Sequence, residues 1–457
     1  SSDSLDGLVN NNVIREVNLK STSVIREKVG ISISNENKEK TFSSYPFPLN
    51  SELVEKLGHI GAEERKSNKP LNVIKRGYDK ENDSAIYDVY FDEPLKPGDK
   101  ISININLAFV RQLRPLPAKI GLLDHPSWVW NGNGYISLMV PSKKQKTIIT
   151  LPQAGSTAIR NFSTQPSPAS TDGKKKITYG PYSNVGSFSN KPISIHYDND
   201  DQNLHAFAHR REMHVSHWGN NLNVLEHYQI HNDGATLNGP FDKVAQQLAS
   251  IRMKPQNAVL GLPIEVPVLS RNIYFVDEIG NVSTSNIYYD NAGNRKFIRL
   301  APRYPLVGGW NYTWWHGYDM PLDSVLKYNS QDGRYNLKVK FYEGMVDTSV
   351  DKFELQVVLP EGAIDIQVAN PLDVNEESAR PYYTYFDSTG RTMLVFSQYN
   401  VVNEYKQDIH ISYRYSLFAT LQKPIILSLA IFSIFLLTTI TSRLSIGLTK
   451  LKKQKKL

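Results

Sequence analysis

The sequence predicts a mainly β protein: two tandem antiparallel β-sandwich-like domains followed by one C-terminal transmembrane helix. Three observations predict it. Apolar and polar residues alternate at period two through most of the chain, which is the pattern of half-buried strands. Helical periodicity is confined to two short stretches. One run, PIILSLAIFSIFLLTTITS at 424–442, holds 19 residues without a charge, enough to cross a bilayer as a helix. At 457 residues the chain exceeds one ordinary core, so two folded domains plus appendages are expected. The boundaries read as 1–205, 206–422, 423–442 for the helix and 443–457 for a basic tail.

Taken in order, SELVEKLGHI at 51–60 reads as a helix. After the turn EPLKPGD, a strand places Ile101, Ile103, Ile105, Leu107 and Phe109 on one face. The serine- and proline-rich run 163–176 is expected to be a solvated loop, and the junction between the domains falls near 200–208, after HYDNDDQN. In 205–218, Arg211, Met213, Val215 and His217 alternate with Glu212, His214, Ser216 and Trp218, as in a strand. A second helix is expected over 241–251, with Phe241, Val244, Leu248 and Ile251 on one stripe. Further strands carry Tyr335, Leu337, Val339 and Phe341, then Phe353, Leu355, Val357 and Leu359. A last one carries Ile409, Ile411, Tyr413, Tyr415 and Leu417.

The net charge is +7, but Arg443, Lys450, Lys452, Lys453, Lys455 and Lys456 supply +6 of it with no acid among them. A nucleic-acid binder needs its charge on a folded surface, so that class is excluded. Lysines and arginines stay on the cytoplasmic side of a membrane, so the tail orients the bulk of the chain into the lumen, a type I topology. The first residues, Ser-Ser-Asp, are read as a processed terminus from which a secretory signal has been removed. The span covers roughly 28 Å at 1.5 Å per residue, which suits the thinner membrane of the endoplasmic reticulum. Lys453 and Lys455, five and three places from the carboxyl end, match the spacing of a dilysine signal for retrieval to that compartment; the alternative is that they serve orientation alone. Within the span, Ser428, Thr438, Thr439 and Ser442 fall within about 100° of one helical face. Ser428 and Thr439 are candidate helix–helix contacts, with bonding to their own preceding turn as the alternative.

Cysteine is absent, which excludes disulfides, thiolate zinc sites and cysteine nucleophiles. His205, His209, His214 and His217 are the candidate metal ligands, but the strand pattern puts the last two on opposite faces and no H-E-x-x-H spacing occurs, so no metal site is expected. No nucleophile elbow, phosphate loop or dinucleotide fingerprint appears, so no catalytic residue and no cofactor are implied. Asn82, Asn161, Asn281 and Asn311 open N-x-S/T acceptor tripeptides, candidate glycosylation sites in a lumenal chain. Asn311 lies in VGGWNYTWWHGYD at 307–319, which holds three of the six tryptophans. Those rings either form a site or pack beneath a strand whose opposite face carries the acceptor.

VSHWGN at 215–220, NGPFD at 238–242, DEIGNVSTS at 277–285, PRYPLVGGW at 302–310 and LPEGA at 359–363, with YGPY at 179–182, resemble the ribophorin I family in order and wording. That family is the alpha subunit of the oligosaccharyltransferase complex. The resemblance implies a noncatalytic subunit of the enzyme that moves a preassembled oligosaccharide from a dolichol pyrophosphate carrier to asparagine. Its partners would be a multi-spanning catalytic subunit, a small membrane subunit and possible nascent polypeptides, all at the endoplasmic reticulum membrane. The catalytic subunit of that complex carries a Trp-Trp-Asp-Tyr-Gly motif. Here WWHGY at 314–318 has His316 in place of the aspartate, so the aromatic stretch is read as packing, with contact to a partner or passing polypeptide as the alternative. Rival classes with the same topology are a lumenal cargo receptor or chaperone and a free glycosidase or transferase.

Overall fold

The structure, a computed structural model, describes residues 5–152, 159–173, 175–252, 257–283, 286–290, 292–345, 347–385 and 387–454. Period-two alternation becomes strand through most of each stretch in which it was read. Lys100–Val110 buries Ile103, Ile105, Leu107 and Phe109 on one side, as the alternation demands. It pairs with Val24–Asn35 and Leu57–Glu64 inside an eight-stranded sheet. That sheet is covered on two sections. Val29, Ile31, Ile33 and Ile105 pack against Tyr45, Phe47 and Val89 of a three-stranded sheet. Farther along, Val17, Ile149 and Ile177 pack against Trp128, Trp130 and Tyr197 of a four-stranded sheet. Removal of these side chains from water, at about 25 cal/mol per Å² of apolar surface, is what holds the layers together.

After Leu204 the pattern repeats around a second core. A seven-stranded sheet has Leu204–Ser216 at its centre, flanked by Asn221–Asn232 and Ser349–Val358. Its inner face, with Met213, Val224, Trp314, Phe353, Leu355 and Val357, packs on Leu337, Val339, Ile409 and Ile411 of a four-stranded sheet and on Ile264 and Ile298 of a three-stranded one. Each large sheet includes one parallel pairing, Leu8–Asn18 with Ser142–Thr150 and Leu204–Ser216 with Ser349–Val358. Period-two alternation cannot distinguish these from antiparallel pairs, because both bury alternate residues.

The two cores touch. Val402 packs on Val24, Ala108 and Val110, Arg26 reaches Glu404 at 2.7 Å, and the Asn400 amide donates to the Glu55 carbonyl at 2.9 Å. Lys119–Ile120 pairs in parallel with Thr236–Leu237.

Three expectations are corrected. The helix expected over 51–60 ends at Glu55, because Leu57–Glu64 is taken up as a strand beside Lys100–Val110; a five-residue helix costs nucleation for few hydrogen bonds, whereas the sheet pairs every backbone group. The loop expected over 163–176 contains the strand Ala169–Asp172, which forms a hairpin with Lys176–Val185. Tyr415 and Leu417 do not extend the last strand, which is Asp408–Arg414; Leu417 instead starts the helix Leu417–Gln454. The helix Lys243–Ile251 does form, capped by the Asp242 side chain accepting from the amides of Val244 and Ala245. Its stripe is not buried, however: Val244, Leu248 and Ile251 face solvent.

Candidate functional site

The aromatic stretch builds from a turn into a strand. Gly308 approaches the 234–235 backbone so closely that a Cβ there would lie 2.1 Å from the Ala235 carbonyl oxygen, and Gly309 has φ +83°; a larger side chain would clash or strain at both. The strand Asn311–Pro321 follows, pairing with Asn221–Asn232 on one side and Arg271–Asp277 on the other. Tyr312, Trp314, His316 and Tyr318 point into the core, while Asn311 stays exposed. Trp310 does not pack beneath the strand with these rings: it precedes the strand, keeps 38% of its surface exposed and meets Phe241 and Tyr304 at the rim.

Inside the sheet, neighbouring strands bring together side chains far apart in sequence. Register pairs His209 with Tyr228 and Tyr228 with Trp314, and their rings stack at 3.8 and 4.7 Å between centroids. Two residues along, register pairs Arg211 with Glu226 and Glu226 with His316. Arg211 Nη1 lies 3.1 Å from Glu226 Oε1, and Arg211 Nη2 donates to Glu343 Oε2 at 3.1 Å and to the Tyr318 hydroxyl at 3.2 Å. Glu226 Oε2 accepts from His209 Nε2 at 3.1 Å and the Tyr228 hydroxyl at 3.2 Å.

Burial penalises the Glu226 charge, but Arg211 and the His209 hydrogen bond outweigh it and hold the carboxyl at about 2. Burial is not fully offset at Glu343, whose pKa is raised despite Arg211. Burial likewise lowers His209 and brings His316 to about 4, so both imidazoles are neutral at pH 7. Trp314 Nε1 donates to His316 Nδ1 at 3.3 Å, which places the His316 proton on Nε2, 3.8 Å from Glu226. The cluster is buried, with Glu343 at its edge keeping 12% of its side chain exposed. Such a network fixes strand register and resists misplacement of any one member, because each lost partner leaves a buried polar group unpaired.

The other candidates are dispersed. His205 takes Asp233 as its partner, His214 takes Glu212, and His217 takes the Tyr413 hydroxyl at 2.8 Å. Among the described residues no group of three or more potential ligands could hold a metal. Asn82 lies in the exposed turn after Val73–Asp79 and donates to Asp79 at 2.8 Å; Asn161 lies on the strand Ile159–Phe162. Asn281 follows the tight turn Asp277–Gly280, its carbonyl held by Arg303 at 3.1 Å, and Asn311 accepts from His231. All four are exposed. Thr439 donates to the Phe435 carbonyl of its own helix at 2.8 Å, and Ser428 is exposed. Lys453 falls on the same helix, and Lys455 lies outside the described residues.

Two features lay beyond sequence reasoning. A polar groove of about 800 Å³ between the two cores is lined by Lys20, Arg26, Asp201, Arg299 and Asp347. At the far end, Lys423 of the C-terminal helix binds Asp387. Neither has a local signal, since each joins residues from distant segments.

Two locked β units, a buried polar cluster and one apolar helix, Leu417–Arg443, long enough to cross a membrane define a β protein with a single membrane-length helix among the described residues. Comparison with known proteins narrows the class. The ribophorin I family profile matches residues 8–442. Subunit 1B of the dolichyl-diphosphooligosaccharide–protein glycosyltransferase of Arabidopsis thaliana is 33% identical over 388 residues, 84% of this chain and 81% of that protein. Subunit 1 from Caenorhabditis elegans is 33% identical over 364 residues, 79% of this chain, and the chain spans only 60% of that relative's length. The chain belongs to the ribophorin I family. The family match begins well before the motifs quoted above. Among solved structures, an M1 zinc metallopeptidase from Deinococcus radiodurans is 13% identical with a TM-score of 0.26, covering 46% of this chain and 48% of that one, a likeness too slight to carry an argument.

Proposed function

We propose that the chain is a noncatalytic subunit of the oligosaccharyltransferase complex at the endoplasmic reticulum membrane, with its two β units, 1–205 and 206–422, on the lumenal side. The observation that carries this reading is the family match, which runs through both β units and almost to the end of the apolar helix at Arg443. A single span offers no enclosed lipid-facing cavity for a dolichol-linked oligosaccharide, so the transfer chemistry is assigned to a multi-spanning partner. This chain contributes assembly and, in the polar groove between its units, a surface suited to an extended acceptor polypeptide. Exposed acceptor asparagines fit a lumenal chain, which would be a substrate of its own complex.

Purification of the full chain in mild detergent tests the reading. A fixed-stoichiometry assembly with a multi-spanning glycosyltransferase is expected. Substoichiometric recovery with varied secretory proteins would instead identify a cargo receptor or chaperone, and transfer activity from the isolated chain would make it an enzyme.

A further inference from the structure

Where the helix Leu417–Gln454 leaves the second unit, it is fastened to it. Lys423 binds Asp387, whose side chain is fully buried, and lies 4.0 Å from Glu361. Asp387 also accepts from the Thr384 amide at 2.7 Å and from Arg391 Nε at 3.2 Å. Glu361 Oε1 accepts from the amides of Ser388 and Thr389 at 2.7 and 2.8 Å. Gln422 donates to the Ser388 hydroxyl, and Gly362 packs so closely on the helix that a Cβ there would lie 2.9 Å from the Ala419 Cβ. The helix and the unit therefore move as one body at this end, and the edge of the unit has a set level along the helix.

That level is informative. A cavity of about 290 Å³ separates Trp218, Pro360 and Tyr415 from Ala419, Pro424 and Leu427. Pro424 opens the uncharged run and Leu427 lies about 5 Å farther along it. The domain side of the cavity thus reaches the depth at which the helix passes from headgroups into hydrocarbon. At this edge the unit leaves large side chains uncovered: Trp218 is 75% exposed, Tyr383 66% and Tyr385 94%. Acids at this edge have partners: Asp365 pairs with Arg334 and Arg414, Asp387 with Lys423 and Arg391, and Glu361 takes the Ser388 and Thr389 amides. Tryptophan and tyrosine favour the boundary layer of a bilayer because an apolar ring and a polar tip are both accommodated there.

We infer that this edge of the second unit rests in the headgroup layer, with Trp218, Tyr383 and Tyr385 among the lipids and a lipid molecule filling the cavity beside the helix. A lipid is chosen over a protein partner because the cavity wall is continuous with the membrane-spanning surface of the helix, through Ala419, Pro424 and Leu427. The inference rests on reading Leu417–Arg443 as a membrane span.

The absence of cysteine allows single nitroxide labels on the full chain in vesicles of phosphatidylcholine and phosphatidylethanolamine. Trp218→Cys and Tyr385→Cys are compared with Phe435→Cys on the helix and Tyr78→Cys, an exposed position in the first unit. Collision with oxygen, which enters the bilayer, is measured against collision with a water-soluble nickel chelate. The two edge labels should collide with nickel severalfold less than Tyr78→Cys, and with oxygen more. Nickel accessibility equal to that of Tyr78→Cys would place the edge in water, and exclusion of both reagents would place protein over it; either overturns the inference. If Phe435→Cys itself reads as aqueous, the span reading fails instead.

Discussion

His316 shows how one residue can look like chemistry in sequence and act as structure in the fold. Its neighbours in the chain, Trp314 and Trp315, evoke a catalytic motif, but its surroundings are Trp314 Nε1 on one ring nitrogen and Glu226 beyond the other. Burial lowers its pKa from 6.5 to about 4. The unfolded chain therefore binds a proton below pH 6.5 that the folded chain refuses until about pH 4. Stability from this group is complete above pH 6.5 and falls as pH drops through that window, by up to about 3 kcal/mol. His316→Gln keeps an acceptor for Trp314 and removes the titration, so its chemical-denaturation stability should fall less steeply between pH 6.5 and 4 than that of the parent. Parallel curves would show that His316 does not titrate as described. The acceptor asparagines can also be distinguished at this scale. Asn281 follows a tight turn, whereas Asn311 begins an eleven-residue strand paired on one side at His231. The backbone of a turn can enter another enzyme's active site before folding finishes more readily than that of a paired strand. A glycan on Asn281 in most molecules, and on Asn311 in a smaller or comparable fraction, is expected from peptide mapping after glycan release in heavy-oxygen water. An unmodified Asn281 would count against this assignment.

Elements differ in how much of their behaviour their own periodicity explains. Strand Ser349–Val358 buries Phe353, Leu355 and Val357, as its alternation requires. Helix Lys243–Ile251 has an equally regular stripe yet exposes it, because no element among the described residues lies over that face. Periodicity reports which face is apolar; only packing decides whether it is covered. The C-terminal helix presents the same question toward the bilayer. Thr438, Thr439 and Thr441 return their hydroxyls to their own helix, so their polar groups need no partner. Small side chains at Ser428 and Thr439 still permit close approach by a second helix, and such contacts contribute roughly 0.6 to 2 kcal/mol. Joint replacement, Ser428→Leu with Thr439→Leu, should reduce copurification of a neighbouring subunit. Full recovery would leave only the intrahelical role.

For the whole molecule, the contacts between the two cores and the Lys423 anchorage join both β units and the helix in one continuous chain of contacts. A relay of this kind suits a subunit that holds other components in place. The dilysine spacing of the tail predicts an address. Lys453→Ser with Lys455→Ser should let some unassembled chain move to later secretory compartments, with orientation preserved by Arg443, Lys450 and Lys452. Unchanged localisation of the unassembled double variant would leave these lysines with orientation alone.

Strand-rich architecture, the apolar helix, the basic tail and the inward row Tyr312, Trp314 were legible in the sequence because each follows from local periodicity or charge. The motifs shared with the ribophorin I family were legible for the same reason, being contiguous. What only the tertiary structure decided depends on partners distant in the chain. Examples are the parallel pairing of Leu8–Asn18 with Ser142–Thr150 and the Arg211–Glu226–His316 rung. The strand that shortens the first helix, and the grip of Asp387 on Lys423, are of the same kind. A side chain's own sequence neighbours set which way it points along a strand or helix. Whether it is then desolvated, paired or left in water is set by whatever the fold brings opposite it.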